Sequence, residues 1–203
     1  MSAIFAGLVS LRDLKLCFEI VPVQASIISC PQLVNLEIET CRWSEESLHS
    51  NIVVMAPKLS NFTSIGIFSI TFGISKLETV CIKMQKWHKP EIWREMLKED
   101  YQGFAYMLPR LGSAKILRLD SEAIKALSLV SSFLERFPSP FYNLKYVKLP
   151  HGCKETSISA ALKSYLIDGS PTATFVTSLH QCQGRGQKLP GEMVEEDGDS
   201  HQV

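Results

Sequence analysis

The chain has 203 residues, of which 45% are hydrophobic and 21% charged, a balance typical of one globular domain with a sizeable core. Basic and acidic residues balance at 21 each, so composition does not favour nucleic acid or an anionic membrane surface as a partner. The uncharged run at 59–75 is too short to span a membrane, and the first residues lack the features of a secretory signal. We therefore expect a cytoplasmic and/or nuclear protein.

The sequence predicts a series of short strands that share the spacing L-x-x-L-x-L. In such a strand the second and third apolar residues point to one face, and stacking several strands into a parallel sheet buries that face. In chain order the stretches are 11–16, 33–38, 59–64, 77–82, 114–119 and 144–149. The third is the most irregular, because Ser64 stands where an apolar residue is expected. The alternative is a strand through SIGIFSI at 64–70. TATFV at 172–176 predicts a closing strand.

The distances between these strands predict where helices are inserted. The middle apolar positions are Leu14, Leu36, Phe62, Val80, Leu117 and Val147, and the steps between them are 22, 26, 18, 37 and 30 residues. The longer steps contain helical patterns at 91–108, after Pro90, and at 122–137, with Ser121 as its cap. A third helix at 157–167 would follow Thr156 as its cap. The expected fold is α/β, a solenoid with a curved parallel sheet and helices on its convex side.

The stretch CPQLVNLEIETC raises the question of whether its two cysteines form a disulfide, ligate a metal or are incidental. Leu33, Leu36, Ile38 and Cys41 match L-x-x-L-x-L-x-x-C, the spacing of a leucine-rich repeat in which the last residue turns inward. Cys41 is therefore interpreted as a repeat residue and Cys30 as a small apolar residue. The six cysteines contain no C-x-x-C motif, so buried free thiols are expected rather than a disulfide framework.

No catalytic or cofactor motif is found, so we expect a protein that is not an enzyme and holds no metal or cofactor. His151 and Cys153 in PHGC could form a nucleophile pair or two metal ligands, but a turn after a strand is the favoured interpretation. Trp87 and Trp93 could form an aromatic ligand box, yet aromatic residues at helical spacing more often pack in a core.

What remains is the open concave face of the predicted sheet, which carries the polar residues between the buried positions and which solenoids use to bind other macromolecules. An ordinary solvated sheet face is the competing interpretation. The residues expected there are Asp13, Lys15, Asn35, Glu37, Glu39, Thr79, Lys83, Arg118, Tyr146 and Lys148. Acidic residues concentrate on the second strand and basic residues on later strands, which suggests a protein target of complementary charge.

The sequence resembles the plant F-box/leucine-rich-repeat proteins over most of 8–177. CPQLVNLEIETC, KLETVCI, WHKPEIWREMLKED and the run from LRLDSEAIKAL to LKYVKLPHG carry the resemblance. It implies a leucine-rich-repeat domain at 1–177, of about five to six repeats with an uncapped N-terminus. The region 178–203, with two basic and five acidic residues, is expected to be a disordered acidic tail.

The resemblance also implies a function, which is recognition of the substrate of a ubiquitin ligase. In that family an N-terminal F-box docks onto a Skp-type adaptor of a cullin-RING (SCF) ligase, and the repeats select the target. The first strand here begins too early to leave room for an F-box. The Skp-type adaptor and cullin are thus expected as partners only if an F-box is supplied elsewhere, and the protein target is unknown. The alternative is a stand-alone repeat scaffold or a decoy binding protein with no ubiquitin connection.

Overall fold

The computed structural model describes residues 3–5, 7–19, 26–40, 51–66, 68–73, 76–84 and 107–177. These residues form two parallel sheets and, towards the C-terminus, short helices. The strands of the larger sheet are β2 (Asp13–Phe18), β4 (Asn35–Thr40), β6 (Asn61–Ile65), β8 (Thr79–Lys83), β9 (Ile116–Leu119), β10 (Tyr146–Leu149) and β11 (Thr174–Thr177). The strands of the smaller sheet are β1 (Ala3–Ile4), β3 (Ser26–Ser29), β5 (Asn51–Met55) and β7 (Ser69–Phe72).

The chain alternates between the two sheets from β1 to β8. The larger sheet has the order β11-β10-β9-β8-β6-β4-β2, the smaller sheet has the order β1-β3-β5-β7, and every pair of neighbouring strands is parallel. Each strand of one sheet is thus followed by a strand of the other until β8. The fold is α/β with a mainly parallel sheet, as the sequence predicted.

The apolar residues of the strand motif set the register of the larger sheet. Every predicted middle position pairs with the next one across neighbouring strands, in the order Leu14, Leu36, Phe62, Val80, Leu117 and Val147. Except at the edge strand β2, these side chains are at most 2% exposed. Alternate side chains of each strand point to the same side of the sheet, and this row lies on the side that faces the core. All six predicted strands are confirmed, and the predicted closing strand is β11.

The expectation of helices opposite the larger sheet is wrong for the N-terminal half of the described chain. There the segments that connect consecutive strands of the larger sheet contain β3, β5 and β7. Their buried residues Ile28, Val54 and Ile70 pack into the same core. The irregular third motif forms β6, and SIGIFSI contributes β7 to the other sheet. The isoleucine and valine residues of β3 and β5 favour strands, because β-branched side chains pack well in a sheet.

Helices lie between the last strands, with boundaries that differ from those predicted. They are α1 (Ser121–Leu129), α2 (Ser131–Leu134) and α3 (Ala160–Ile167). Asp120, not Ser121, caps α1 by accepting a hydrogen bond from the Ala123 amide at 2.7 Å. Ser159, not Thr156, caps α3.

The predicted helix at 122–137 is divided at Val130, and 155–157 forms a 3-10 turn. Most of the predicted helix at 91–108 lies outside the described residues, and its last residue opens the 3-10 turn Leu108–Leu111. The predicted tail at 178–203 also lies outside the described residues.

The cysteines confirm the prediction of free thiols in the described part of the chain, but not all of them are buried. Cys30 is fully buried after β3, and this burial raises the pKa of its thiol. Cys81 is also buried, Cys153 is half-buried, and Cys17 is exposed because it lies on the polar side of β2. Cys41 lies outside the described residues.

Candidate protein-binding face

The ten residues predicted for the polar side all lie on strands of the larger sheet, at positions that alternate with core residues. All of them are exposed or half-buried. We call this side of the larger sheet, which faces away from the core, the polar face. The predicted members are Asp13, Lys15, Asn35, Glu37, Glu39, Thr79, Lys83, Arg118, Tyr146 and Lys148. The structure places all ten on this side of the sheet, and their role in binding stays a prediction.

Strand pairing arranges these side chains in two main rows that run across the sheet. The first row, near the strand starts, contains Asp13, Asn35, Asn61, Thr79, Ile116, Tyr146 and Thr174. The second row, two residues further along each strand, contains Lys15, Glu37, Thr63, Cys81, Arg118, Lys148 and Val176. The register continues through seven strands, and every member of the two rows except the buried Cys81 is exposed or half-buried.

Side-chain amides form a hydrogen-bonded ladder at the β2 end of the first row. The Asn61 Nδ2 donates to Asn35 Oδ1 at 2.6 Å, and the Asn35 Nδ2 donates to Asp13 Oδ1. The Asn35 amide accepts through its oxygen and donates through its nitrogen, so the ladder ends on the Asp13 carboxylate. These contacts hold the three side chains in a fixed arrangement across β2, β4 and β6.

Lys15 neutralises part of the acidic charge beside this ladder. Its Nζ lies 2.7 Å from a Glu37 oxygen and 3.3 Å from a Glu39 oxygen. The hydrogen bond to Glu37 is the main cause that raises the pKa of Lys15. Because the Lys15 side chain is 61% exposed, solvent screens the pair and it contributes little to stability. The pair and the ladder border a shallow depression of about 440 Å³.

The polar face has opposite charges at its two ends. On β2, β4 and β6 it carries the carboxylates of Asp13, Glu37 and Glu39 against the single ammonium of Lys15, a net charge of −2. On β8 to β11 it carries three cations and no carboxylate, a net charge of +3. We call these the acidic half and the basic half. The predicted separation of charge along the sheet is therefore present.

The sequence analysis missed Asn61, Thr63 and Ile116 as members of the polar face. Asn61 and Thr63 belong to the motif with the irregular Ser64, which obscured their alignment. The signal was nevertheless present, since Asn61 stands before Phe62 as Asn35 stands before Leu36. Phe62 was already among the predicted middle positions, so its two neighbours Asn61 and Thr63 could have been assigned to the polar face from the sequence.

Other candidate sites offer less. His151 is exposed on the turn after β10, and the Cys153 thiol donates to the Lys154 carbonyl oxygen at 3.9 Å. Among the described residues no group of His, Cys, Asp and Glu could hold a metal ion. Trp87 and Trp93 lie outside the described residues. In the part of the chain that is described, no helix has the length and hydropathy needed to cross a membrane.

A second depression, of about 470 Å³, lies between α2 and α3. It is lined by residues of the α2–β10 connection and of α3, including Phe137, Ser139 and Tyr165. Burial raises the pKa of Tyr165 to about 12, so its hydroxyl stays protonated at neutral pH. Ser164 donates to an Asp168 oxygen at 2.6 Å on the same helix. These contacts within one helix stabilise it and assemble no reactive group.

Comparisons with known proteins identify no relative of this chain. No family model matches it, and neither a curated protein nor a solved structure matches it.

Proposed function

We propose that this chain is a protein–protein interaction module that binds its target through the polar face. The observation that carries the proposal is the register of the larger sheet. Seven parallel strands align their outward-facing residues in rows, and all of these residues except Cys81 are exposed or half-buried. Such a surface suits an extended or folded protein partner better than a small molecule, which generally requires a concave and largely apolar pocket.

We further propose that the fold is an irregular leucine-rich-repeat solenoid. Support comes from the strand motif, which recurs in the larger sheet with its middle apolar residues in one row. Backbone hydrogen bonds also recur at the start of successive strands. The amides of Asn35, Asn61 and Thr79 each donate to the carbonyl oxygen of the residue that immediately precedes the neighbouring strand. Repetition of both side-chain and backbone contacts is typical of a stack of similar units.

Within this proposal, the protein acts as the substrate-recognition part of an F-box/leucine-rich-repeat ubiquitin-ligase receptor, with the F-box supplied elsewhere. The ligase would transfer ubiquitin, and this chain would only select the target. The resemblance of the strand motifs and of the region 117–152 supports this role. No catalytic step is assigned to the chain.

Photocrosslinking tests the binding face directly. A photoreactive amino acid is placed at Asn35 or Tyr146 on the polar face, and at Lys125 on α1 as the matched control, since the Lys125 side chain is 70% exposed. After irradiation in plant extract, we expect crosslinked partners from the two face positions and none shared with the helix position. Crosslinks of equal yield and identity from Lys125 would show that the polar face is not the interface.

Purification of the crosslinked species tests the link to ubiquitin. We expect the Skp-type adaptor and cullin to be recovered together with the face-dependent target. Recovery of the target without either protein would favour a stand-alone scaffold or decoy binder. Increased ubiquitination of the target when the chain is expressed would support the receptor role, and protection of the target would support the decoy role.

A further inference from the structure

Strand β2 forms one edge of the larger sheet in the described part of the chain. Among the described strands it pairs with β4 alone, because it ends the strand order of the sheet. The carbonyl of Arg12, just before β2, accepts from the Asn35 amide of β4 at 2.9 Å. In a parallel pair alternate residues bond to the same neighbour, so the backbone groups of Asp13 and Lys15 point to the outer edge. This edge can therefore accept one more strand.

The core side of β2 is less covered than the core side of the next strand. Its inward residues are all half-buried, and they are Leu14, Leu16 and Phe18. Their register partners on β4 are at most 2% exposed. The turn before β2 adds Leu8 and Val9, which are 48% and 65% exposed. Apolar side chains gathered at one end of a stack of strands indicate an interaction surface.

The outward side chains of this edge carry opposite charges two residues apart. Asp13 accepts from Asn35 through one oxygen, and a carboxylate has a second oxygen for another donor. The Lys15 Nζ contacts Glu37 at 2.7 Å and Glu39 at 3.3 Å, and an ammonium group carries three donors. Both Asp13 and Lys15 are exposed. Each of them can therefore contact one more group of opposite charge at the edge.

A second copy of this chain offers a strand of matching charge for this edge. Around a two-fold axis two β2 strands pair in antiparallel fashion, and if residue i lies opposite residue j, then j also lies opposite i. With Leu14 on the axis, Asp13 lies opposite Lys15 of the other copy, and this ion pair occurs twice. The inward residues of both copies then lie on the same side of the joined sheet. Charge and burial therefore agree in this register.

Other registers that keep the two core sides together are less favourable. With Asp13 or Lys15 on the axis, like charges face each other. With Leu16 on the axis, Asp13 faces Glu19 of the other copy. With Cys17 on the axis, Lys15 faces Glu19, but only the last residues of β2 overlap. A lysine on an edge strand also discourages pairing with strands that offer no carboxylate. Charge therefore favours the first register.

The size of this end of the stack sets the expected strength of association. The six residues of β2 span roughly 20 Å, and two sheets about 10 Å apart give an end surface roughly 20 Å thick once side chains are included. Each copy thus buries roughly 400 Å², about half of what one partner buries in a stable complex. We therefore expect a weak dimer that dissociates at low micromolar concentration.

We propose that two copies of this chain associate through β2, antiparallel and around a two-fold axis at Leu14, so that their larger sheets continue as one. Asp13 of each copy pairs with Lys15 of the other, and the two Leu14 side chains meet on the axis. The end of β2 that carries Phe18 approaches the exposed apolar turn before β2 of the other copy. This inference goes beyond the proposed function, because it assigns these residues to contact between copies and not to the target.

Sedimentation velocity of the full chain between about 2 and about 200 µM tests the association. We expect the average mass to rise from that of a monomer towards that of a dimer and no further, because a two-fold contact closes on itself. A chain that stays monomeric throughout would overturn the inference. Growth into ever larger assemblies would do the same, because it indicates head-to-tail stacking of β2 on β11 of the next copy.

Charge reversal tests the two ion pairs. Asp13→Lys alone and Lys15→Glu alone each place like charges opposite each other, so each variant is expected to associate about tenfold more weakly than the wild type. A mixture of the two variants restores opposite charges at both positions and is expected to regain most of the lost affinity. Lys125→Glu on α1 is the matched control and is expected to leave association unchanged. Cooperative thermal unfolding confirms that each variant is folded.

Disulfide formation tests the register. Residues that face each other on the axis have Cα atoms about 4.5 Å apart, a separation that a disulfide can span. We expect Leu14→Cys to form a covalent dimer on mild oxidation. Leu16→Cys is the control, because its two copies would lie about 13 Å apart in this register. Both variants also carry Cys17→Ser, so that the exposed native thiol does not react.

Three further results would contradict the inference. They are equal disulfide yields from Leu14→Cys and Leu16→Cys, a mixture of the charge variants that associates no better than either alone, and a wild-type dimer linked through Cys17 at higher yield than through Leu14→Cys. The last result would indicate a register with Cys17 on the axis. Crosslinks from Tyr146 do not depend on any of these outcomes, so the proposed function is tested independently.

Discussion

Replacement of Leu36 with alanine tests whether the row of middle apolar residues holds the sheet together. Leu36 is 2% exposed and lies in register between Leu14 and Phe62. The substitution removes three carbon atoms, which at about 0.8 kcal/mol each amounts to about 2.4 kcal/mol of lost transfer free energy. The cavity left behind raises the expected loss in the free energy of unfolding to about 3–4 kcal/mol.

Leu14→Ala is the matched control, because Leu14 occupies the same row on the edge strand β2 but is only partly buried. Water can enter the site left by the shorter side chain there, so we expect a loss of about 1 kcal/mol. Urea unfolding at constant m-value measures both losses. For a chain of this length the melting temperature should fall by roughly 10 °C for Leu36→Ala and by about 3 °C for Leu14→Ala. Equal losses would refute the claim that burial rises from the edge strand inward.

Three further substitutions test single contacts. Gly66 has a φ of +100°, and an added Cβ would lie 2.0 Å from Thr40 Oγ1, so Gly66→Ala should cost at least about 2 kcal/mol in urea unfolding. Gly7→Ala, with nothing within 4 Å of its Cβ, should change stability by less than about 0.5 kcal/mol, and similar losses for both would contradict the argument. Ser64 is fully buried but its hydroxyl makes only long contacts, at 3.5 and 4.0 Å, so Ser64→Ala should leave the unfolding midpoint equal or higher. A loss above about 1 kcal/mol would show that this hydroxyl is well bonded. Burial raises the pKa of Asp120 above 3.8, so the folded state binds its proton more tightly than the unfolded state, and the wild type should gain stability over Asp120→Asn as the pH falls towards that value. Urea unfolding between pH 6 and about 4 measures this difference, and a constant difference would contradict the expected burial of the carboxylate.

The sequence identified most residues of the polar face because successive side chains of a strand point to opposite sides of the sheet, which follows from local backbone geometry alone. Once Leu36 and Ile38 are assigned to the core, Asn35, Glu37 and Glu39 must point to the other side. The same argument located Arg118 and Lys148. It failed for Asn61 and Thr63, because a buried serine interrupted the apolar pattern on which the alignment depended.

The helix caps were less predictable, because several neighbouring residues could serve equally well. Asp120 and Ser121 are both good N-cap residues by type, as are Thr156 and Ser159. Asp120 also accepts a hydrogen bond from the Met84 amide, which belongs to a segment 36 residues earlier in the chain. A contact at that separation depends on how β8 and β9 pair, and local sequence does not contain that information.

The sequence by itself determined the strands of the larger sheet, their inward and outward residues and the separation of charge along the face. These properties follow from the alternation of side chains within single strands and from residue type. Only the tertiary structure decided that β3, β5 and β7 form a second sheet. A short apolar segment is stable as a strand only when other strands form hydrogen bonds with it, and the local sequence does not show which strands will do so. The ladder from Asn61 to Asp13 and the adjacency of Arg118 and Lys148 likewise depend on strand register, which joins residues 22 to 30 positions apart in the chain.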